Sequence, residues 1–339
     1  MSRTPLSTPP LQLAAGSMRP LRRGLLAAFL GLCALPGMAQ TAAAWPTQPV
    51  KVLVGFPPGS TPDVSARILA EALGKVWGQT VVVENRPGAS GNIAADAVAK
   101  ARDDHTLGIV INGNLTTARA LNPRLAFDPA KDFAHVSLVA TAPLVLATNA
   151  DKPAGAAFFG AARAGGKGWS YGSVGIGSVG HLGMEVLMGK AGMADAVHVP
   201  YNGNPAVITA LIAGQVQMAL MPPGIALPQA QAGKIRIVGV TGPRSPLAPG
   251  VEPLNTMGVA LEDLEVWNAL VGPAGLARAA QERLARDVPE VLRQAEVRER
   301  MLAAGWQVQG TSAEALRRRV EAETRTLGAI ITAQGIKVE

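Results

Sequence analysis

The chain has 339 residues, 48% of them hydrophobic, 16% charged and 4% aromatic, a composition that describes a globular protein and excludes a disordered one. Its formal net charge is +7, but Arg3, Arg19, Arg22 and Arg23 all precede Trp45 in a segment without Asp or Glu, so the rest of the chain carries +3. A nucleic-acid partner thereby loses its support, and the single cysteine, Cys33, lies in the same segment, so no disulfide framework is expected.

That segment reads as a signal peptide over residues 1–44. Arg19, Arg22 and Arg23 precede an apolar run from Gly24 to Leu35, and small-residue cleavage sites follow at Ala39 and at Ala42-Ala43-Ala44. The run is too short for a comfortable membrane span, and Met18 offers an alternative start. Leu30-Gly31-Leu32-Cys33 is a poor lipoprotein box because bulky Leu32 stands before the cysteine, and Arg22-Arg23 lacks the rest of a twin-arginine pattern. About 295 residues remain, enough for two domains of a soluble exported protein.

From Trp45 onward, β-like runs (Val50 to Val54, Val81 to Glu84, Leu107 to Ile111, Val136 to Ala140, Val197 to Pro200, Ile235 to Val240) alternate with helix-period segments. The alternation predicts an α/β fold with mostly parallel sheets. The first run breaks at Gly55-Phe56-Pro57-Pro58-Gly59-Ser60 into a predicted helix, with Thr61 as its cap, Pro62 in its first turn and Val64, Ile68, Leu69, Ala72, Leu73 and Val76 on its apolar face. A second glycine-rich junction runs from Tyr171 to His181. Each junction exposes backbone N–H groups at a helix N-terminus, and two such ends facing one another across a cleft hold an anion without a charged side chain. This predicts a carboxylate site.

Three other chemistries compete for the second junction. Gly175-x-Gly177-x-x-Gly180 matches a dinucleotide fingerprint and Asp195 lies twenty residues after Gly175, but the ribose-binding acid belongs at the far end of the next strand, where Tyr201 and Asn202 stand. A nucleophile elbow needs glycine two places before its serine, whereas Ser178 has Ile176 there and Ser173 has Tyr171. The histidines His105, His135, His181 and His198 lack the paired spacing of zinc sites. No enzyme, cofactor or metal is expected.

The order of Trp45-Pro46, Gly55 to Asp63 with Ala66-Arg67, Glu84-Asn85-Arg86-Pro87-Gly88-Ala89, Asn122-Pro123, Asp128-Pro129-Ala130-Lys131-Asp132-Phe133, Tyr171 to Leu182, Val199-Pro200-Tyr201-Asn202-Gly203, Trp267 and Gly335-Ile336-Lys337 resembles the Bug family. These TctC-like proteins are periplasmic solute receptors of tripartite tricarboxylate transporters. The resemblance implies a two-lobed, type II periplasmic-binding-protein fold, a Venus flytrap whose sheets are joined by hinge strands. Lobe 1 would comprise 45–144 with 268–339 and lobe 2 would comprise 145–267, with crossings near Ala140 to Ala147 and Trp267 to Gly272. The function implied is capture of a small mono- or dicarboxylate and its delivery by a monomer to membrane permease subunits. A receptor that signals to a sensor kinase is the alternative, and a dinucleotide-binding enzyme a more distant one.

The ligand contacts so implied are Phe56, Pro58, Gly59, Ser60, Thr61, Asn112, Asn114 and Thr117 from the first lobe. The second supplies Ser173, Gly175, Gly177, Ser178, His181, Tyr201, Asn202 and Asn204, and ordered waters would bridge one carboxylate to both. Asn114, Arg119, Met221 and Trp267 are candidates for the variable end of the ligand. Asp63 either touches ligand, orients the first loop or pairs with Arg67 one helical turn on, and His181 either donates to a ligand or caps its helix. Arg119 departs from the family pattern, and is expected to be a solvated rim charge rather than a fork on a distal carboxylate. Ser60, Gln217 and Asn268 also depart, replacing a usual glycine, acid and aromatic.

Overall fold

The computed structural model describes residues 45–165, 168–193, 196–259, 261 and 264–336. The signal peptide expected over 1–44, with Met18 and Cys33, lies outside them, as do Asp195 and Lys337.

The strands are β1 (Val50–Val54), β2 (Val81–Asn85), β3 (Thr106–Ile111), β4 (Phe133–Pro143), β5 (Val145–Asn149), β6 (Ser170–Ser173), β7 (Val197–Pro200), β8 (Met218–Met221), β9 (Ile235–Val240), β10 (Glu265–Pro273) and β11 (Gln307–Val308). The helices are α1 (Thr61–Trp77), α2 (Asn92–Ala99), α3 (Asn112–Leu115), α4 (Ala118–Leu121), α5 (Ala157–Gly165), α6 (Val179–Ala191), α7 (Asn204–Ile212), α8 (Pro223–Gln231), α9 (Arg278–Arg293), α10 (Ala295–Ala303) and α11 (Ala313–Ala333).

Two sheets form, in the orders β11-β4-β10-β3-β1-β2 and β7-β6-β8-β5-β9. Both bury both faces, so their central strands are apolar throughout and alternate residues serve different cores. Val52 and Val54 pack with Leu69, Leu73, Leu284 and Val288 beneath α1 and α9. Leu53 faces the other way, with Val98, Trp267, Leu316 and Val320 beneath α2 and α11. In the second sheet Leu146 and Leu220 join Leu182 and Leu187 of α6, while Ala147 and Met221 join Val207 and Ala226 of α7 and α8.

The fold is α/β with two sheets, as expected, but the sheets are mixed rather than mostly parallel. β1 pairs parallel with β2 and β3, and β6 with β7 and β8, whereas β10 and β5 run antiparallel to both of their neighbours. The cause is the way the chain changes sheets. It leaves the first at Leu144, the single residue between β4 and β5, and returns between β9 and β10. Trp267 to Gly272 therefore do not mark the return crossing: they lie within β10, bonded to β3 on one side and β4 on the other.

At α1 the N-cap is Ser60 rather than Thr61, and Thr61 is the first helical residue. The apolar face is Ile68, Leu69, Ala72, Leu73 and Trp77, while Val76 is 44% exposed; the helix ends at Trp77, capped by Gly78 in the left-handed region.

Candidate binding cleft

The loop from β1 to α1 is held rigid by a carboxylate. Asp63 is buried in the first turn of α1, where it accepts from the Gly59 N–H (2.9 Å) and from Asn85 Nδ2 (2.8 Å) and pairs with Arg67 (2.9 Å). Burial alone would push its carboxyl up, but the bonds from Arg67, Asn85 and Gly59 outweigh that and hold it below the ordinary range. Asn85 Nδ2 also donates to the Phe56 carbonyl (2.9 Å), closing the loop on itself. Gly55 lets the loop lie directly against the one around Gly91, since a Cβ there would stand 2.4 Å from Gly91 Cα. Asp63 thus orients the loop and forms the helical pair, both of the structural roles expected for it.

What this rigid loop presents is the N-terminus of α1. The Ser60 hydroxyl is fully buried, makes no capping bond and has no other partner among the described residues. Facing it is the N-terminus of α7. Asn204 Nδ2 donates to Thr61 Oγ1 (3.3 Å), and Gly203, at φ 97°, lies so close to Pro57 that a Cβ would meet its ring at 3.1 Å. The N-terminus of α1 is thus bonded to that of α7, while the junction before α6 bonds Ser90 and Thr117 and reaches the first junction through Val174, which shares a narrow space with Phe56 and Pro57.

That second junction is stitched by its own hydroxyls and rings. Ser178 Oγ donates to the Gly175 carbonyl (2.8 Å) and accepts from the His181 N–H (3.3 Å), while the Gly177 N–H donates to His181 Nδ1 (3.1 Å). Ser178 is thus the N-cap of α6, and His181, in its first turn, ties back the loop that precedes it. Ser173 Oγ bonds His198 Nε2 (2.7 Å), whose ring stacks 4.0 Å from His181 and 4.9 Å from Tyr171. Burial, with His198 adding to it, pushes His181 down to about 3, and burial pushes His198 down to about 4, so both rings are neutral. Tyr171 donates to Glu185 in a short bond.

Across the cleft the Thr117 hydroxyl donates to the Gly177 carbonyl (2.9 Å) and that of Ser90 to the Ile176 carbonyl (3.4 Å). Any Cβ on Gly175 would stand 2.1 Å from Ser90 Oγ, and one on Gly177 2.1 Å from Leu121. A third contact joins backbone to backbone: a Cβ on Gly224, at the start of α8, would stand 2.2 Å from the Ala304 carbonyl oxygen. Beside it Trp306 Nε1 donates to the Thr61 carbonyl (3.2 Å).

Between these loops lies a cavity of about 380 Å³ lined by Ser90, Asn92, Leu121, Gly175, Tyr201 and Asn202 among others. A narrower space runs beneath it between Phe56, Pro57, Gly91, Val174 and Asn202. Neither is lined by a lysine or arginine. Pro58 and Gly59 lie exposed on the outer turn of the first loop.

Several expected contacts are engaged elsewhere. Asn114 fastens the loop below it, accepting from the Ile111 N–H (3.1 Å) and donating to the Ser90 carbonyl (3.0 Å) and Asn92 (2.9 Å). Met221 and Trp267 are fully buried in the cores. Arg119 is exposed, as a rim charge would be, and it lines neither space of the cleft; its guanidinium also donates to the carbonyls of Pro123 (3.1 Å), Leu125 (3.3 Å) and Phe127 (2.7 Å). Arg119→Gln is accordingly expected to cost about 1–3 kcal/mol of stability in chemical denaturation, while changing mono- and dicarboxylate affinities alike. A selective loss for the dicarboxylate in calorimetry would contradict this placement.

Glu323 was not legible as part of this region. It accepts from Trp267 Nε1 (2.6 Å) and Asn112 Nδ2 (2.8 Å), tying α11 to the first residue of α3, and burial pushes its carboxyl up against the pull of those bonds. In sequence it is one acid in a heavily charged helix, with no signal to mark it. Ser90, held at φ 56°, was missed for the same reason.

Two α/β lobes whose loops close on a small cavity between them define the periplasmic-binding-protein class. Residues 65–336 match the tripartite tricarboxylate transporter family receptor, TctC, and the chain belongs to that family. It is 33% identical over 309 residues to a UPF0065 protein from the tcbD-tcbE intergenic region of Pseudomonas sp. (strain P51), covering 89% of this chain and 91% of the relative. Among solved structures it is similar to an adipate-bound R. palustris protein (30% identity, TM-score 0.83, 86% of this chain and 99% of that one). It is also similar to MatC from Rhodopseudomonas palustris with bound malate (28% identity, TM-score 0.78, 85% and 100%). The chain is a solute-binding receptor of a periplasmic family, not an enzyme.

Proposed function

We propose that the protein captures a small mono- or dicarboxylate in this cleft and delivers it to the membrane subunits of a tripartite tricarboxylate transporter, after export by the leader read in residues 1–44. The observation that carries the reading is the meeting of the α1 and α7 N-termini beside an unpartnered, fully buried Ser60 hydroxyl, in a cleft whose cavities no cation lines. Helix-end N–H groups and hydroxyls then supply the positive potential. The volume suits a small solute, and the carboxylates bound by the two similar proteins support the class. Capture proceeds by rotation of the lobes about Leu144 and the β9–β10 segment.

The test is a thermal-shift panel of adipate, malate and simple monocarboxylates beside NAD and ATP. At a hundredfold over Kd a ligand contributes about 2.7 kcal/mol, a plain rise in melting temperature. A carboxylate should produce it. A shift with NAD alone would refute the reading.

Within the cleft, Ser178→Ala removes both the cap of α6 and the pin on Gly175, and is expected to weaken carboxylate binding about ten- to a hundredfold. Titration calorimetry showing unchanged affinity would mean that the second junction does not contribute.

A further inference from the structure

A second cavity, of about 560 Å³, lies on the first lobe away from the cleft, between α11, β4 and the back of α3 and α4. Its floor is apolar, formed by Leu115, Phe133 and Val320, which are all buried. His135 of β4 also lines it, and the imidazole Nε2 is buried without a hydrogen-bond partner. Burial, with the nearby Arg317 guanidinium, pushes that imidazole below its ordinary value against the opposing pull of Glu321, so the ring is neutral. The neutral ring carries one proton, and in the tautomer that holds it on Nε2 that N–H is a donor facing no acceptor among the described residues.

The rim is cationic. Arg317 and Arg325 make no ion pair among the described residues, and the Arg119 guanidinium is bonded only to neutral carbonyls, which leave its charge uncompensated. Two carboxylates stand against these three guanidiniums. Glu321 lies between Arg317 and Arg325 on α11, and Asp128 already accepts from the Ala130 N–H (3.0 Å) and pairs with Lys131 (3.7 Å). Apolar floor, buried polar donor and excess positive rim together select one chemistry.

We propose that this cavity is a second binding site, for a small organic anion with a short apolar body: the anionic group sits between the α11 arginines and His135, and the body lies on Leu115, Phe133 and Val320. The site is separate from the cleft. Leu115, Thr116 and Arg119 face this cavity, whereas Leu121 faces the other and Thr117 bonds Gly177 across it.

The imidazole resonances of His135 report occupancy directly. In the full protein, hexanoate should shift them saturably, while inorganic phosphate, which lacks the body, and hexylamine, which inverts the charge, should not. The double variant Arg317→Gln/Arg325→Gln leaves the cleft untouched and should weaken the hexanoate response by about tenfold or more, with circular dichroism confirming its fold. No saturable shift up to ~10 mM, an undiminished response in the double variant, or an equal response to phosphate or hexylamine would each overturn the proposal.

Discussion

Gly224→Ala is expected to abolish tight ligand capture while leaving each lobe as stable as before. Gly224 is the second residue of α8, where alanine is a better helix former than glycine, so the substitution should not weaken the helix. Its Cβ, however, would stand 2.2 Å from the Ala304 carbonyl oxygen and 3.0 Å from Gly305 Cα, atoms of the other lobe's backbone that no rotamer change can move. The lobes must separate instead. If the closed state falls below about one part in a hundred, apparent affinity falls at least about a hundredfold. Calorimetry with whichever carboxylate stabilises the wild type measures the loss, and small-angle scattering should show the variant open with ligand present. Wild-type affinity would mean that this contact is not part of the closed state.

The second large effect belongs to Asp63. Asp63→Ala strips a buried carboxylate from the half-buried Gly59 N–H and Asn85 and opens the loop, an expected loss of about 2–3 kcal/mol with carboxylate binding lost alongside. Arg67→Ala removes a guanidinium that is 51% exposed, and should cost about 1 kcal/mol or less. Denaturant titration giving the reverse order would contradict the account of the loop. Acid supplies an independent check. The folded carboxyl titrates below the ordinary 3.8, so its stabilisation is complete above that value and is lost as the pH falls through the depressed folded value. The wild type should therefore lose stability more steeply below about pH 4 than Asp63→Asn, which has no carboxyl there to titrate.

Local signals carried the sequence reading a long way. The run into Gly55, the proline in the first turn of α1 and the Asp63–Arg67 spacing are features of neighbouring residues, and they appear in the structure nearly as read. Distant pairing was not legible. Nothing in Trp267 to Val271 shows that this run inserts between β3 and β4, because a short apolar run has the same pattern in a core strand as in a crossing segment. The bond between the α1 and α7 starts was not legible for the same reason: the two glycine junctions stand out in sequence, whereas Gly203-Asn204, a less conspicuous helix start, also arrives opposite Thr61. The acceptors of Arg119 were not legible either, because they are carbonyls, which have no sequence signature.

The position of β10 also governs the order in which the protein can assemble. The second sheet is complete once the chain has been made as far as Val240, for β5 to β9 are consecutive. The first sheet begins earlier and finishes much later, since β10 is the strand that joins β4 to the β3-β1-β2 group. Until it arrives, β3 and β4 are open edges, and such edges invite pairing with other chains. A polypeptide threaded amino end first thus holds its oldest strands unfinished while a younger lobe is already built, which makes the carboxyl-terminal third the part whose delay or loss leaves the product prone to aggregate.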